Sequence, residues 1–190
     1  MKSRITNCIN ASIKVKELVL IDSEILNNIE EIVLKSVEAF NADKKMLLCG
    51  NGGSASDAQH IASELSGRFY LERRPLFAEA LHVNSSFVTA VANDYGYDNI
   101  YSRMVEAAGR DGDILIGIST SGNSTNVVNA IEKANKIGMT TIGFTGEKGG
   151  KMNDICDITI RIPSIDTPRI QELHILVGHI ICQLIEEELF

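Results

Sequence analysis

Two short stretches rich in serine and glycine carry residue types that can bind an anion. They are GNGGSAS (50–56) and STSGNS (119–124), and each follows a short apolar run and precedes a segment with helical periodicity. The first main-chain N–H groups of a helix are unpaired and lie at the positive end of its dipole, and hydroxyl groups add neutral donors. One such loop is compatible with ordinary turn and helix-cap chemistry, but two together predict a cradle for a phosphate monoester.

The first of these loops also matches part of the dinucleotide-binding pattern. Gly50, Gly52 and Ala55 have the spacing G-x-G-x-x-A after an apolar run. That pattern requires a carboxylate at the end of the next strand to bind the ribose, whereas the next apolar run ends in HVN (82–84). The phosphate loop G-x-x-x-x-G-K-[ST] is absent as well. We therefore expect no nucleotide cofactor.

Histidines and carboxylates form a second group of candidates. His60 and Glu64 are four residues apart after the first loop, so they share one face of a helix. Gln171 and His179 lie in the last apolar segment, about 80° apart around a helix axis. The four side chains together suit zinc or proton transfer between neighbouring sugar carbons, and a solvated surface pair is the alternative for the first two. His82, inside a predicted strand, is interpreted as a hydrogen-bonded structural histidine.

Short apolar runs that alternate with helical segments must position these groups. The runs predict five strands and the periodicity a helix after the second loop, ending at Gly138, and a last helix from about Pro168 to Glu188. Such alternation predicts a parallel sheet between layers of helices, with ligands beyond the carboxyl ends of the strands. The predicted strands are 45–50, 77–83, 113–120, 140–146 and 158–163.

The first forty residues are predicted to form one long helix. Apolar residues recur along it at spacings of three and four, which makes a stripe that must be buried, often on a second subunit. We expect a single domain over 1–190, with a helical arm at 1–42 and an α/β core at 43–190. The stripe consists of Leu18, Ile21, Ile25, Ile29 and Ile32.

Composition excludes several classes of partner. The formal net charge is −7, which disfavours a nucleic-acid-binding surface, and no apolar run approaches the ~20 residues of a membrane span. The four cysteines are scattered and form no CxxC pair, so neither a disulfide scaffold nor a four-thiolate zinc site is expected. We expect a cytoplasmic protein with reduced thiols, no nucleic-acid partner and no membrane association.

Several of these segments resemble the sugar isomerase (SIS) domain family, and within it the bacterial phosphoheptose isomerases. The resemblance covers essentially the whole chain, although LERRPLFAEALHVNSS (71–86) is too divergent to transfer anything. The matching segments, in order, are CGNGGSASDAQHIASELSGRF, VANDYGYDNIYSR, GDILIGISTSGNS, TGEKGGKM and TPRIQELHILVGHIICQLIE.

The resemblance implies a fold and an activity. The fold is a three-layer α/β sandwich with a five-stranded parallel sheet in flavodoxin-like order. The activity is isomerisation of sedoheptulose 7-phosphate to D-glycero-D-manno-heptose 7-phosphate through an enediol, the first step toward activated heptose for lipopolysaccharide or capsule. The resemblance also implies a homotetramer with active sites at subunit interfaces.

The resemblance further implies roles for particular residues. Glu64 would take a proton from the ketose, and His179 would reprotonate the neighbouring carbon. One zinc ion per subunit is implied on His60, Glu64, Gln171 and His179. The implied substrate and phosphate contacts are Asn51, Gly52, Gly53, Ser54, Glu64, Arg68, Asn93, Asp94, Ser119, Thr120, Ser121, Ser124, Asp166 and Gln171, with Arg169 as a further supporting residue.

Three other functions occur within the same fold family. One relative binds the replication initiator protein and lacks the acid/base pair, so the presence of Glu64 and His179 favours the isomerase. Sugar-phosphate-responsive regulators add a DNA-binding segment, which the single-helical N-terminal arm does not resemble. An isomerase of another sugar phosphate remains open, because the two loops recognise the phosphate and not the number of carbons.

Overall fold

The computed structural model describes residues 1–190 as one α/β domain. A short 3-10 helix, Tyr97–Asn99, connects α4 to α5. The strands are β1 (Met46–Gly50), β2 (Ala78–Ala80), β3 (Ile114–Ile118), β4 (Thr140–Gly146) and β5 (Ile158–Ile162). The helices are α1 (Lys2–Leu20), α2 (Ser23–Asn41), α3 (Gly53–Ser66), α4 (Ser85–Tyr95), α5 (Ile100–Ala108), α6 (Thr125–Ile137), α7 (Met152–Ile155) and α8 (Thr167–Leu189).

All five strands pair in parallel in the order β2-β1-β3-β4-β5, which confirms the predicted flavodoxin-like sheet. The order reverses at β1, where the chain first runs to β2 on one side and later to β3 on the other. The loops after β1 and β3 therefore leave the same edge of the sheet as neighbours. This is the switch point at which ligands bind in such folds.

Helices cover both faces of the sheet because the strands are apolar on both faces. Every residue of β1 and β3 is buried. Met46 and Leu48 belong to a core shared with α2, α3 and α8, whereas Leu47 and Cys49 belong to a core shared with α5 and α6. A strand buried on both sides is a continuous apolar run, as expected for parallel sheets.

Two strands are shorter than the sequence predicts by more than one residue. The segment predicted as 77–83 pairs only through Ala78–Ala80, because β2 is an edge strand and the chain turns after it. The strand predicted as 113–120 ends at Ile118, and Ser119 and Thr120 already belong to the loop. His82 consequently lies in a loop and not inside a strand.

The N-terminal arm is two helices instead of one. The first ends at Leu20, and Asp22 begins the second, because its side chain accepts hydrogen bonds from the main-chain N–H groups of Glu24 and Ile25. The predicted stripe is therefore divided. Ile25, Ile29 and Ile32 pack into the chain's own core, whereas Leu18 and Ile21 are exposed.

Helices α3 and α8 lie in close contact, and Gly178 is the point of approach. A Cβ atom at this position would lie 2.5 Å from Cδ1 of Ile61, so any side chain there would push the two helices apart. The packing matters because each helix carries one half of the predicted reacting pair. None of the helices is both long enough and apolar enough to cross a membrane.

Candidate active site

The first loop joins β1 to α3 and leaves main-chain donors free. Gly52 has φ +57°, a conformation that other residues rarely adopt, and it turns the chain sharply into the helix. No hydrogen bond within the chain uses the N–H groups of Gly52 and Gly53. Ser54 is buried directly behind them. The loop therefore presents unpaired donors at the N-terminus of a helix, as predicted.

The second loop joins β3 to α6 and gathers three serine hydroxyls. The Oγ atom of Ser119 lies 2.9 Å from that of Ser124 and 3.3 Å from that of Ser121. Ser119 is buried, whereas Ser121 is exposed. The main-chain N–H groups of Ser121 and Ser124 have no partner within the chain. This cluster presents uncharged donors of the kind that bind anions, without lysine or arginine.

A reciprocal pair of side-chain amides joins the two loops. Asn51 donates to Oδ1 of Asn126 at 2.8 Å, and Asn126 donates to Oδ1 of Asn51 at 2.9 Å. The hydroxyl group of Tyr97 donates to the same Asn51 oxygen at 3.1 Å. Because Asn126 is buried at the start of α6, this pair fixes the spacing between the two loops. The loops therefore form one cradle, which we define as residues 51–54 and 119–124.

A cavity of about 280 Å³ adjoins the second loop of the cradle. Thr120 and Ser121 line one side, and Ser164 and Thr167 line the other, near the start of α8. Its lining is mostly polar and carries one charge of each sign, on Glu147 and Lys148. This space suits the polyhydroxylated chain of a small phosphorylated molecule.

Three of the predicted reactive side chains meet on the surface where α3 packs against α8. Nε2 of His60 lies 3.0 Å from Oε1 of Glu64 and 3.4 Å from Nε2 of His179. One potential ligand atom from each of the three residues lies within 4.8 Å of the others. We call His60, Glu64 and His179 the reactive cluster. It unites residues that are 119 positions apart in the sequence.

Phe69 borders the reactive cluster, whereas Gln171 lies at the start of α3. The ring of Phe69 packs against the imidazole of His179 with centroids 5.7 Å apart. Gln171 lies against Gly53, where a Cβ atom would approach its Nε2 to 2.6 Å. Gln171 therefore sits at the first loop of the cradle, and the glycine there makes room for its side chain.

The donor set of the cluster fits a zinc ion. Two imidazole nitrogens and one carboxylate oxygen are ligands that zinc prefers. His60 is exposed and Glu64 is half-buried, and His179 of α8 joins them, so His60 and Glu64 are not an isolated surface pair.

Several predicted contact residues lie apart from the cradle and the cluster within one chain. Arg68 is exposed and pairs only with Glu72, at 3.8 Å. Asn93 donates to the carboxylate of Asp94, and both are exposed near the end of α4. None of them forms a hydrogen bond to the cradle or the cluster. Their predicted contacts with substrate are not explained by contacts within the single chain.

Asp166 and Arg169 lie at the start of α8. Asp166 is the exposed residue that precedes the helix. Arg169 donates to the main-chain oxygen of Cys8 in α1 and pairs with Glu172 at 2.8 Å. Arg169 thus connects the N-terminal arm to the helix that carries His179, which is consistent with a supporting role.

Three titratable groups around the site have shifted pKa values. Burial raises the pKa of Asp57 to about 6, and the neighbouring His60 lowers it in part. Burial lowers the pKa of His174 to about 4, partly offset by a hydrogen bond to the main-chain oxygen of Thr145. Burial also lowers the pKa of His82, whose buried Nδ1 has no partner, so the prediction of a hydrogen-bonded histidine was wrong at this atom.

Comparison with known proteins places this arrangement in a class. The SIS domain family model matches residues 15–146, more than half of the chain. The chain is 52% identical to the phosphoheptose isomerase of Clostridium acetobutylicum over 190 residues, which cover the whole chain and 97% of that relative. It is 50% identical to that of Aneurinibacillus thermoaerophilus, with coverage of 100% and 96%.

A solved structure agrees with these relatives. Phosphoheptose isomerase GmhA from Neisseria gonorrhoeae superposes with a TM-score of 0.92 at 39% identity, over 98% of both chains. The fold and the cradle define a sugar-phosphate-binding α/β protein. The chain belongs to the SIS domain family and, within it, to the phosphoheptose isomerases.

The sequence alone did not identify four residues that shape the site. Asn126 and Tyr97 hold Asn51, and Arg73 and Glu186 brace the helices behind the cluster. Asn126 occupies a position in NSTNVVN that resembles any polar residue at a helix start. Arg73 lies within residues 71–86, where the sequence is too divergent for the family resemblance to imply any role. No spacing rule connects these residues to their partners.

Proposed function

We propose that this protein isomerises sedoheptulose 7-phosphate to D-glycero-D-manno-heptose 7-phosphate, the entry into heptose biosynthesis. The observation that carries the proposal is the convergence of Glu64 and His179 in a chain that also carries a lysine-free cradle of free donors, at the start of the helix that bears Glu64. The relatives named phosphoheptose isomerase, at about half identity over the full length, support the same substrate.

The chemistry is a proton transfer between two neighbouring carbons. Glu64 removes a proton from C1 of the ketose while the C2 carbonyl oxygen gains one, which gives an enediol. The C1 hydroxyl then loses its proton to become the aldehyde oxygen, and His179 returns a proton to C2. Protons balance, and no oxidant or reductant is needed. A positioned acid and base contribute about 10²–10⁴-fold to such a step.

The cradle binds the phosphate end of the same substrate. The hydroxyls of Ser119, Ser121 and Ser124 and the free N–H groups of both loops donate to the phosphate oxygens. Asn51 is held by Asn126 and Tyr97, so its remaining N–H is aimed in a fixed direction. Arg68, Asn93, Asp94 and Asp166 complete the set, from surfaces that adjoin the site in the assembled protein.

A zinc ion would be held by His60, Glu64 and His179, with Gln171 as the fourth ligand. When bound, zinc polarises a carbonyl oxygen as a Lewis acid. Glu64 is a weaker base when it also binds a metal, so its two roles compete. Elemental analysis of protein never exposed to chelator, compared with His60→Ala, tests this assignment. Equal zinc content in both proteins would contradict it.

The working form is a cytoplasmic homotetramer with active sites at subunit interfaces. Helix α1 carries Ile5, Ile9 and Ile13 at spacings of four, and all three are exposed in the single chain. Such a stripe is buried favourably against another copy. Sedimentation of the purified protein measures the oligomeric state, and a monomer at working concentration would contradict this part of the proposal.

Purified protein incubated with sedoheptulose 7-phosphate tests the activity directly. We expect an aldose phosphate to appear, with retention of the phosphate. The variant Glu64→Gln keeps the size of the side chain and removes the base, so it serves as the negative control. If the wild-type protein is inert on this ketose and active on a shorter ketose phosphate, its substrate is another sugar phosphate and the proposal is wrong.

A further inference from the structure

Behind the reactive cluster lies a buried ion pair that the proposed function does not use. Arg73 lies in the loop after α3, and its guanidinium pairs with Glu186 near the end of α8 at 2.8 Å. The two side chains are only 1% and 2% exposed. An isolated buried charge is strongly disfavoured, so such a pair persists only when further hydrogen bonds satisfy both partners.

The guanidinium satisfies the end of the helix that carries the base. Arg73 donates to the main-chain oxygen of Glu64 itself at 2.9 Å and to that of Leu65 at 2.9 Å. It also donates to the oxygen of Gly67 at 3.3 Å. The last carbonyl groups of a helix have no partner within the helix. Arg73 therefore fixes the position of the final turn of α3, in which Glu64 lies.

The carboxylate of Glu186 holds the loop that follows α3. It accepts hydrogen bonds from the main-chain N–H groups of Phe69, Tyr70 and Leu71 at 3.2, 2.7 and 2.9 Å. Burial raises the pKa of Glu186, but these three donors and Arg73 lower it further, so the net pKa lies below its ordinary value. Glu186 is a carboxylate at neutral pH, and both of its oxygens accept hydrogen bonds.

The loop in turn supports the imidazole on the other helix. Phe69, whose N–H group is held by Glu186, packs its ring against His179. His179 lies seven residues before Glu186, two turns earlier on the same face of α8. One side of the ion pair thus acts on Glu64 and the other on His179, from a single buried point.

We infer that Arg73 and Glu186 are positioning residues, which set the separation of Glu64 and His179 for the two proton transfers. This inference rests on the proposed function, since it assigns those two side chains as acid and base. A displacement of about 1 Å in a reacting group lowers turnover by up to about 10²-fold while leaving binding through other contacts intact. The cradle, at the loops after β1 and β3, makes no hydrogen bond to the pair.

The test compares Arg73→Met with a matched loss of a buried ion pair elsewhere. Asp113 pairs with Lys45 at the starts of β3 and β1, where Asp113 is 2% exposed and contacts neither Arg73 nor Glu186, so Asp113→Asn is the control. For Arg73→Met we expect kcat to fall about 10–100-fold, with KM and inhibition by inorganic phosphate within twofold. For Asp113→Asn we expect a comparable fall in the thermal midpoint and an unchanged kcat well below that midpoint.

Two further variants keep the test decisive if Arg73→Met does not fold. Phe69→Leu leaves the ion pair intact and removes the ring that supports His179, so we expect a smaller fall in kcat alone. Arg73→Lys keeps the charge and the bond to Glu186 but loses the bonds to α3, so we expect an intermediate kcat. A normal kcat in both folded variants would overturn the inference, as would equal losses in Asp113→Asn.

Glu64→Gln assayed in parallel distinguishes the acid/base role of Glu64 from the positioning role of Arg73 and Glu186. If Glu64→Gln retains full turnover, the proposed acid/base function fails. If Glu64→Gln is inactive while Arg73→Met and Phe69→Leu are normal, only the positioning role fails. A loss of kcat in all three, with phosphate inhibition preserved, supports both.

Discussion

The cradle and the reactive cluster are built in different ways. The cradle consists of two strand-to-helix loops whose donors follow from local chain geometry. The cluster consists of side chains from two helices, α3 and α8, that are brought together by packing. In both groups the side chains contact one another: Ser119 contacts Ser121 and Ser124, and His60 contacts Glu64 and His179.

This difference divides binding from chemistry. A cradle of main-chain donors needs little adjustment to hold an anion, so it acts in the ground state and the transition state alike. A cluster on two helices depends on their exact separation and acts only when the proton moves. Changes in the cradle should therefore appear mainly in KM, and changes in the cluster mainly in kcat.

The largest effect is expected in the cluster. Glu64→Gln and His179→Asn should each lower kcat by about 10²–10⁴-fold with KM nearly unchanged, because each removes one partner of the proton transfer. Steady-state kinetics on sedoheptulose 7-phosphate measure both constants. Glu132→Gln, an exposed carboxylate on α6, is the matched control and should retain normal kinetics. Near-normal kcat in both cluster variants would show that the cluster does not carry out the chemistry.

The next effect is expected in the cradle. Ser119→Ala and Ser124→Ala each remove a hydroxyl that we propose donates to phosphate, and such bonds to a charged group correspond to about 10–100-fold in affinity. KM should rise by that factor and inhibition by inorganic phosphate should weaken in parallel, with kcat within a few-fold. A fall in kcat without any change in phosphate inhibition would place these serines with the chemistry instead.

A smaller effect is expected where the two loops are joined. Asn126→Ala leaves Asn51 without its buried amide partner, so KM should rise about fivefold and stability should fall by about 1–3 kcal/mol. Denaturant unfolding and kinetics measure the two effects. Asn129→Ala removes one bond from the same helix to the main-chain oxygen of Asp98 and should leave KM unchanged. Equal KM values in the two variants would show that the amide pair does not set the cradle.

No effect on turnover is expected from the buried histidine of α8, which contrasts with His179 on the same helix. Since the folded pKa of His174 is about 4, below its ordinary value of 6.5, the unfolded state binds the proton more readily. The stabilisation that comes from keeping His174 neutral is complete above pH 6.5. The free energy of unfolding falls by about 3 kcal/mol as the pH is lowered to 4. The stability difference between wild type and His174→Gln should narrow over this window. A stability difference between the two proteins that stays constant from pH 6.5 to 4 would contradict the lowered pKa of His174.

Much of the fold was predictable because its signals are local. Buried apolar runs and helical periodicity gave the five strands, the parallel sheet and the last helix. The division of the N-terminal arm at Asp22 was missed, since a long apolar stripe outweighed a single capping residue. The edge strand β2 was predicted too long, because pairing with only one neighbour shortened it.

The site divides along the same line. The sequence by itself determined the two donor loops and the helical spacing of His60 and Glu64, because each depends on residues a few positions apart. Only the tertiary structure decided that α3 packs on α8, that Asn51 pairs with Asn126 across 75 residues, and that Arg73 reaches Glu186 across 113. The physical reason is that main-chain geometry is set by neighbouring residues, whereas the meeting of distant side chains depends on how whole faces of helices and sheet fit together.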